Sequence, residues 1–232
     1  MTDGRRKQHR RKWMRFSPKM HIIADWARVL IGLVIYSFGV YLTIYANIGL
    51  APWDCLGMGI AKQTPLNYGS SMVLIGVCAI IIQLILREHV GFATLFDALL
   101  TGNMVQFLTD ISPYPENHSL WIGIIFMLFG FLFISLGMYL YMSAEQGRGP
   151  KDGLLVAIGK RLPKIPIGVV QIMLYSAVTL IGRMLGGSVG IGTVISVFGL
   201  GTVMHLFYRL IHFEPRALHH RSIADILTEH RA

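Results

Sequence analysis

The amino-acid sequence predicts an all-α membrane protein with six transmembrane helices. They form two inverted three-helix repeats, each with a short broken or re-entrant helix after its first span. Three observations predict this fold class: the composition, the long apolar runs and an internal repeat. Of the 232 residues, 53% are hydrophobic and 14% are charged, whereas soluble domains average about 25% charged residues. With a mean hydropathy of +0.56, the composition is typical of an integral membrane protein.

Apolar runs of about 20 residues are long enough to cross a hydrocarbon core about 30 Å thick. The first run is too long for the apolar region of a cleaved signal peptide, which has about 7–15 residues, so it is expected to stay as a span. Six such runs occur, near 28–48, 69–87, 90–109, 119–143, 166–185 and 190–211.

The positions of Lys and Arg predict the orientation of the chain. If the six runs each cross once from a cytoplasmic N-terminus, 19 of the 21 Lys and Arg residues lie on the cytoplasmic side, and only Lys62 and Arg183 do not. Because cytoplasmic connections carry an excess of Lys and Arg, both termini are predicted to be cytoplasmic.

Four segments follow from this arrangement: a basic cytoplasmic tail over 1–24, a first repeat over 25–118, a second repeat over 119–212 and a cytoplasmic tail over 213–232. The anionic headgroups of the lipid bilayer are the predicted partner of the basic N-terminus. Nucleic acid is the weaker interpretation, because basic residues ahead of a first span ordinarily hold that span in orientation.

The internal repeat aligns residues 39–65 with 137–163, with 11 identities in 27 positions. After one inserted residue, the similarity continues and matches Gly69 with Gly168 and Gly102 with Gly201. Three spans per repeat is an odd number, so the second repeat is predicted to enter the membrane from the opposite side. Within the best-matched segment, Gly49, Pro52, Asp54 and Lys62 correspond to Gly147, Pro150, Asp152 and Lys160.

The repeated Pro and Asp predict a helix break in each half. Pro52 and Pro150 suit the first turn of a new helix, and Asp54 and Asp152 can meet the positive end of its dipole. Two interpretations of the carboxylates stay open: they cap the short helix, or they face a central cavity and bind a proton, a cation or an amine. Paired interrupted segments in inverted repeats point to a transporter's binding site.

Five further polar residues are candidates for the same site. Asn47 and Glu145 are matched positions just before the two breaks. Gln106 and His205 are matched in the third and sixth runs and are expected to face each other if that side of the helices is inward. An interhelical hydrogen bond is the simpler role, and a proton relay is the alternative. Asp97 is an acid well inside an apolar run, so it is expected to be protonated, partnered or in contact with water.

The motifs "GLAPWDCL" and "GRGPKDGLL" resemble the paired motifs of the YczE/YyaS/YitT family of bacterial integral membrane proteins. The resemblance covers about residues 25 to 212 and implies a multi-pass protein of the bacterial plasma membrane, without implying a substrate.

The function predicted from these features is a small secondary transporter or exporter of an unidentified small solute, with its pathway between the repeats. A second copy of the chain, forming a homodimer, is a further predicted partner. A scaffold that recruits a cytoplasmic partner is the alternative. An enzyme is not expected, because no nucleophile with a base and no metal-binding cluster is evident, and no cofactor is predicted.

Overall fold

The computed structural model describes residues 18–88, 90–112, 119–144, 147 and 149–213, with side chains from Ala24 onward. Over these residues the chain forms eight α-helices. In chain order they are α1 Pro18–Tyr45, α2 Pro52–Gln63, α3 Tyr68–Ile85, α4 Phe92–Ile111, α5 Leu120–Met142, α6 Pro150–Arg161, α7 Ile167–Met184 and α8 Ile191–Leu210.

Five of the described helices are long and apolar enough to cross a membrane: α1 (through Ala24–Tyr45), α3, α5, α7 and α8. The protein is therefore all-α with several candidate spans, as the sequence predicts. The remaining long helix, α4, has 20 residues, but it carries Asp97, Asp110 and several amide and hydroxyl side chains. It is not among the five, so the count of six spans stays a prediction.

The two halves of the chain have the same order of elements. Helices α1 to α4 have 28, 12, 18 and 20 residues, and α5 to α8 have 23, 12, 18 and 20. Each short helix begins with a proline and has an acid in its first turn, Asp54 in α2 and Asp152 in α6. The short helices predicted from the repeated Pro and Asp are thus present in the structure.

Helices α1 and α5 cross in an antiparallel direction at four glycines. A Cβ on Gly32 would lie 2.8 Å from the carbonyl oxygen of Gly137, and a Cβ on Gly39 would lie 2.7 Å from that of Gly130. As the chain advances along α1 its contacts move backwards along α5, so the first helices of the two halves run in opposite directions. Small residues at such a crossing let two backbones approach closely.

The remaining packing is nearly unchanged when the two halves are exchanged. The contact of α1 with α4 has its counterpart in α5 with α8, that of α3 with α6 in α7 with α2, and that of α2 with α3 in α6 with α7. One pair breaks the correspondence among the described helices: α3 packs against α4, whereas α7 and α8 do not form a packed pair.

Each short helix is bonded to the opposite half. At the end of α2, Lys62 donates to the carbonyl oxygen of Gly186 at 2.9 Å and Gln63 donates to that of Leu185 at 3.2 Å. At the end of α6, Arg161 donates to the carbonyl oxygen of Leu86, the residue matched to Leu185. The halves are interlocked and do not stand side by side.

Candidate functional site

A cavity of about 650 Å³ lies among the helices of both halves. This volume is within the range of small-molecule sites in proteins. Its polar or charged lining includes Asp54, Asp97, Lys151, Asp152, Gln171, Ser196, His205 and Arg209, and its aromatic lining is Tyr36, Trp53, Phe131, Tyr175, Tyr208 and Phe213.

The chain enters each short helix through a glycine with positive φ. Gly49 has φ of +121° and Gly147 has φ of +133°, a region in which residues with a Cβ are strained. Each lies against the glycine that precedes the last helix of the opposite half: Cβ atoms there would be 2.6 Å from the Gly190 nitrogen and 2.9 Å from the Gly91 Cα. The broken segments therefore depend on glycine for both shape and packing.

Backbone hydrogen bonds hold the first of these breaks in place. The Leu50 nitrogen donates to the carbonyl oxygen of Ser188 at 3.2 Å, and the Gly192 nitrogen donates to that of Ile48 at 2.8 Å. Because these hydrogen bonds from the opposite half hold the segment before α2, this helix starts at Pro52 in a fixed position beside the cavity.

The carboxylate of Asp54 is buried at the first turn of α2, with 5% of the residue exposed. The hydroxyl of Tyr68 donates to its Oδ1 at 2.9 Å. Burial raises the pKa of the Asp54 carboxyl above its usual range, against the opposing effects of the Lys151 charge and the Tyr68 hydrogen bond. At 12 residues, α2 is too short to span the bilayer.

The carboxylates of Asp97 and Asp152 both lie close to Gly149, the residue before α6. A Cβ at Gly149 would lie 2.8 Å from Oδ2 of Asp97, 3.3 Å from Oδ2 of Asp152 and 3.2 Å from the Tyr141 hydroxyl. The hydroxyl of Thr101 also donates to Asp97. Asp97 and Asp152 thus come from different halves of the chain and meet at one wall of the cavity.

The structure brings together only some of the predicted site residues. Pro52, Asp54, Asp97, Asp152 and His205 line the cavity. Pro150 opens α6 behind it, where its carbonyl oxygen accepts from Gln83 at 2.9 Å. Glu145 lies outside the described residues.

Two other predicted residues are placed elsewhere. Asn47 is exposed in the first break, with φ of 49°. Gln106 accepts from the Gly69 nitrogen at 3.4 Å and donates to Asp110 at 2.7 Å. It is absent from the cavity lining, so the structure does not bring Gln106 and His205 together as matched partners.

Sequence reasoning missed most of the lining, including Lys151, Arg209, Tyr175 and Tyr208. Lys151 could have been found, since it stands between the motif residues Pro150 and Asp152. Arg209 and Tyr208 carry no local signal, because polar groups near span ends are common at membrane interfaces.

Comparison with known proteins places this arrangement in a family. Residues 23–209 match a family described as a family of unknown function, DUF6198. The chain belongs to this family.

The DUF6198 region includes every described helix except the first residues of α1 and the last of α8. A protein of Haemophilus influenzae called "Uncharacterized protein" is 34% identical over 183 residues, which cover 79% of this chain and 83% of the relative. "Uncharacterized protein YyaS" of Bacillus subtilis is 31% identical, with 79% and 92% covered. "Uncharacterized membrane protein YczE" of the same organism is 28% identical, with 80% and 86% covered.

These relatives confirm the resemblance to YczE and YyaS, and one of them is called a membrane protein, in agreement with the apolar helices. No solved structure matches the chain at a significant level.

Proposed function

We propose that this DUF6198 protein is a small secondary transporter whose solute pathway lies between two inverted repeats. The observation that carries the proposal is the cavity of about 650 Å³, which is lined by both short helices and by acids from both halves. Ionisable groups within membrane proteins ordinarily mark a pathway or a binding site. Binding sites between repeats, at broken helices, are typical of secondary transporters.

The antiparallel crossing of α1 and α5 and the near-exchangeable packing of the halves support the inverted arrangement. The positions of Lys and Arg support cytoplasmic termini. With α4 as the sixth span, Asn103 and Gln106 lie beside Gly69 of α3, and Asp97 lies beside Gly149 of the opposite half, so these polar side chains contact protein.

The one helix contact without a counterpart, that of α3 with α4, suggests how the cavity alternates its access between the two sides of the membrane. In the first half, a Cβ on Gly69 would lie 3.1 Å from the carbonyl oxygen of Gly102, so the boundary between α3 and α4 forms a sealed seam. In the second half, the matched residues Gly168 and Gly201 have nothing within 4 Å of a Cβ, so the boundary between α7 and α8 forms an open seam. We infer a second state in which α7 closes on α8 and α3 parts from α4, so that the cavity opens on the other side.

The residues in the middle of the open seam explain why α7 and α8 stay apart in the present state. Gly76 lies against Ala98 in the first half, with a would-be Cβ 2.9 Å from that of Ala98. At the matched positions the second half has Tyr175 and Val197, and both line the cavity. Closure of α7 on α8 therefore requires the Tyr175 ring to leave the seam.

The test measures access from both sides of the membrane and needs no substrate. In a chain with Cys55→Ala and Cys78→Ala, Met204→Cys places a thiol in the cavity. A membrane-impermeant maleimide is added to right-side-out vesicles and, separately, to inverted vesicles. A transporter should be labelled in both preparations, because its cavity faces each side in turn.

Ile125→Cys in the same background is the matched control, since Ile125 is exposed on the outer surface of α5 and does not line the cavity. It should resist the reagent in both preparations. A scaffold with a permanently one-sided cavity would give labelling of Met204→Cys from one side alone, and that outcome would reject the transporter.

A crosslink then links access to the seam. Gly168→Cys with Gly201→Cys should form an intramolecular disulfide when α7 closes on α8, because a disulfide needs Cα atoms about 4.4–6.8 Å apart. When Met204→Cys is added to this pair, the crosslinked protein should no longer be labelled from both sides. Its Met204→Cys thiol should react from one side only or not at all. Each single cysteine variant controls for disulfides between two molecules.

A further inference from the structure

We propose that the cavity binds a membrane lipid, which enters from the bilayer with its acyl chain in the open seam between α7 and α8 and its polar headgroup in the cavity. This inference rests on the proposed function and names the chemical class of its solute.

The first argument is the depth of the open seam. Tyr175 lies in the middle of α7 (Ile167–Met184), and Gly201 lies in the middle of α8 (Ile191–Leu210). Both helices are long and apolar enough to cross a membrane, so their middle parts lie at the depth of the hydrocarbon core. The molecules that surround the seam at this depth are therefore lipids, through their acyl chains.

The second argument is that the second half lacks the cover that the first half has. In the first half, three residues of α4 are buried: Ala98, Thr101 and Gly102. The matched residues of α8 are partly or fully exposed: Val197, Leu200 and Gly201. Of the apolar stretch of α3, 50% is buried inside the protein, against 17% for α7 and 22% for α8. Large uncovered apolar surfaces of this kind mark contacts with a membrane or an apolar ligand.

The third argument is that the open seam is continuous with the cavity. Tyr175 of α7 and Val197, Leu200 and Gly201 of α8 all line the cavity, although α7 and α8 do not form a packed pair among the described helices. These α8 residues are apolar, whereas other parts of the same lining are acidic or polar. A molecule with an apolar chain and a polar end fits both parts.

The fourth argument is a buried hydroxyl without a hydrogen-bond partner. Tyr208 lines the cavity and only 7% of the residue is exposed. Within the described part of the chain, its hydroxyl makes no hydrogen bond. Buried polar groups are nearly always satisfied, so this hydroxyl is available to a polar headgroup, or to water that enters with it.

The inferred movement of α7 favours a lipid over a helix of a second copy as the occupant of the open seam. A helix with its side chains is about 10–12 Å across and would keep α7 and α8 apart. An acyl chain is narrower and can leave the seam along the bilayer, as the closure of α7 on α8 requires.

The first experiment identifies the occupant of the open seam in the unaltered full-length protein. The protein is reconstituted in vesicles of phosphatidylethanolamine and phosphatidylglycerol, and part of the phosphatidylethanolamine carries a diazirine at the end of one acyl chain. After irradiation, mass spectrometry should find adducts on the cavity-lining residues Val197 and Leu200, in addition to Phe198, which is exposed and outside the lining. With the diazirine on the headgroup, adducts should form on Tyr36, which lines the cavity in the middle of the α1 span. Adducts on Phe198 alone would overturn the proposal, and a headgroup probe that misses Tyr36 would overturn the placement of the headgroup.

Closing the open seam is the matched control. In the chain with Cys55→Ala and Cys78→Ala, a disulfide between Gly168→Cys and Gly201→Cys should abolish the acyl-chain adducts on the cavity-lining residues of α8 and leave those on Phe198. Adducts that persist in the lining after crosslinking would mean that the chain does not enter through this seam.

The second experiment distinguishes hydrocarbon from water and from protein in the open seam. In the same background, a nitroxide on Gly201→Cys reports its collisions with oxygen, which concentrates in hydrocarbon, and with a water-soluble nickel complex. The references are nitroxides on Ile125→Cys, on the outer surface of α5, and on Lys164→Cys, in the exposed segment before α7. The Gly201→Cys label should behave like the Ile125→Cys label. Behaviour like the Lys164→Cys label would mean water in the seam, protection from both reagents would mean protein, and either result would overturn the proposal.

The outcome is separable from that of the transport test. Labelling of Met204→Cys from both sides, with water or protein in the open seam, would keep the transporter and reject a lipid as its solute. An acyl chain in the seam with one-sided labelling would reject the transporter and leave a lipid-binding protein.

Discussion

Gly69 and Gly102 meet backbone to backbone between α3 and α4: a Cβ on Gly102 would lie 2.9 Å from the carbonyl oxygen of Gly69 and 2.6 Å from the Met72 Cβ. Their sequence counterparts, Gly168 and Gly201, meet nothing within 4 Å. Two pairs of identical residues thus have opposite environments in one molecule.

The first prediction compares alanine at two of these positions. Gly102→Ala should destabilise the protein by about 1–3 kcal/mol, because the added methyl crowds the sealed seam. Gly201→Ala should be neutral or stabilising by up to about 1 kcal/mol, since it adds helix propensity in open space. Thermal unfolding of the two purified variants, in the same detergent, gives the comparison. Equal losses in both would show that the two seams do not differ in solution.

The second prediction concerns the ring that holds the open seam apart. Tyr175→Gly gives the second half the residue found at the matched position 76. It should increase disulfide formation between Gly168→Cys and Gly201→Cys, because the closed seam then needs no ring movement. The fraction crosslinked by a mild oxidant is measured on non-reducing gels. Tyr139→Gly, placed on α5 outside the cavity lining, is the control for a general loosening of the fold, and a similar rise there would contradict the explanation.

The third prediction concerns the hydrogen bond from Tyr68 to the buried Asp54. Tyr68→Phe should lower the free energy of unfolding by about 1–3 kcal/mol at pH values at which the Asp54 carboxyl is ionised, because the carboxyl then loses a charge-assisted hydrogen bond.

The sign of its pH dependence follows from the pKa of Asp54. The Tyr68 hydrogen bond favours the ionised carboxyl, so its loss raises the pKa of Asp54 further. The deficit of Tyr68→Phe should therefore shrink as the pH falls through that pKa, because a neutral carboxyl loses only an ordinary hydrogen bond. Unfolding of variant and parent is compared over a pH series. Tyr139→Phe serves as the control, and a deficit that grows at low pH would contradict the assignment.

The fourth prediction uses the different chemistry at the two short-helix ends. Lys160 forms an ion pair with Glu88 at 2.7 Å, with 60% and 15% of the side chains exposed, whereas Lys62 donates to a neutral carbonyl oxygen. Glu88→Gln should cost at most about 1 kcal/mol, and the loss should fade at high salt because exposed charges are screened.

Lys62→Met is the matched variant at the other end. The loss in free energy of unfolding caused by Lys62→Met should change less with salt, because the partner of Lys62 is an uncharged carbonyl oxygen. Thermal unfolding at low and high sodium chloride measures both. A salt-independent loss in Glu88→Gln would indicate that packing, not charge, holds the end of α6.

The breaks in the helices were predictable from sequence, because their determinants are local. Gly49 and Gly147 take backbone conformations that few other residues adopt, and Pro52 and Pro150 can begin a helix but not continue one. The same residues therefore give the same break in both halves, whatever packs around them.

The open seam was not predictable, because it depends on which of two equivalent contacts is made. Gly102 and Gly201 are matched residues in matched helices, and no local pattern distinguishes the packed one from the free one. Gln106 illustrates the same point: its match to His205 suggested a facing pair, but the close contact of α3 with α4 directs Gln106 to the Gly69 nitrogen.

The fastening of each short helix to the opposite half has a consequence for synthesis. Lys62 and Gln63 are made more than a hundred residues before their acceptors at Gly186 and Leu185. Until the ribosome has synthesised these acceptors, the end of α2 cannot form these hydrogen bonds. The first half is therefore an unfinished product until α7 has been inserted, and a nascent chain truncated before Leu185 should be recognised and degraded as misassembled.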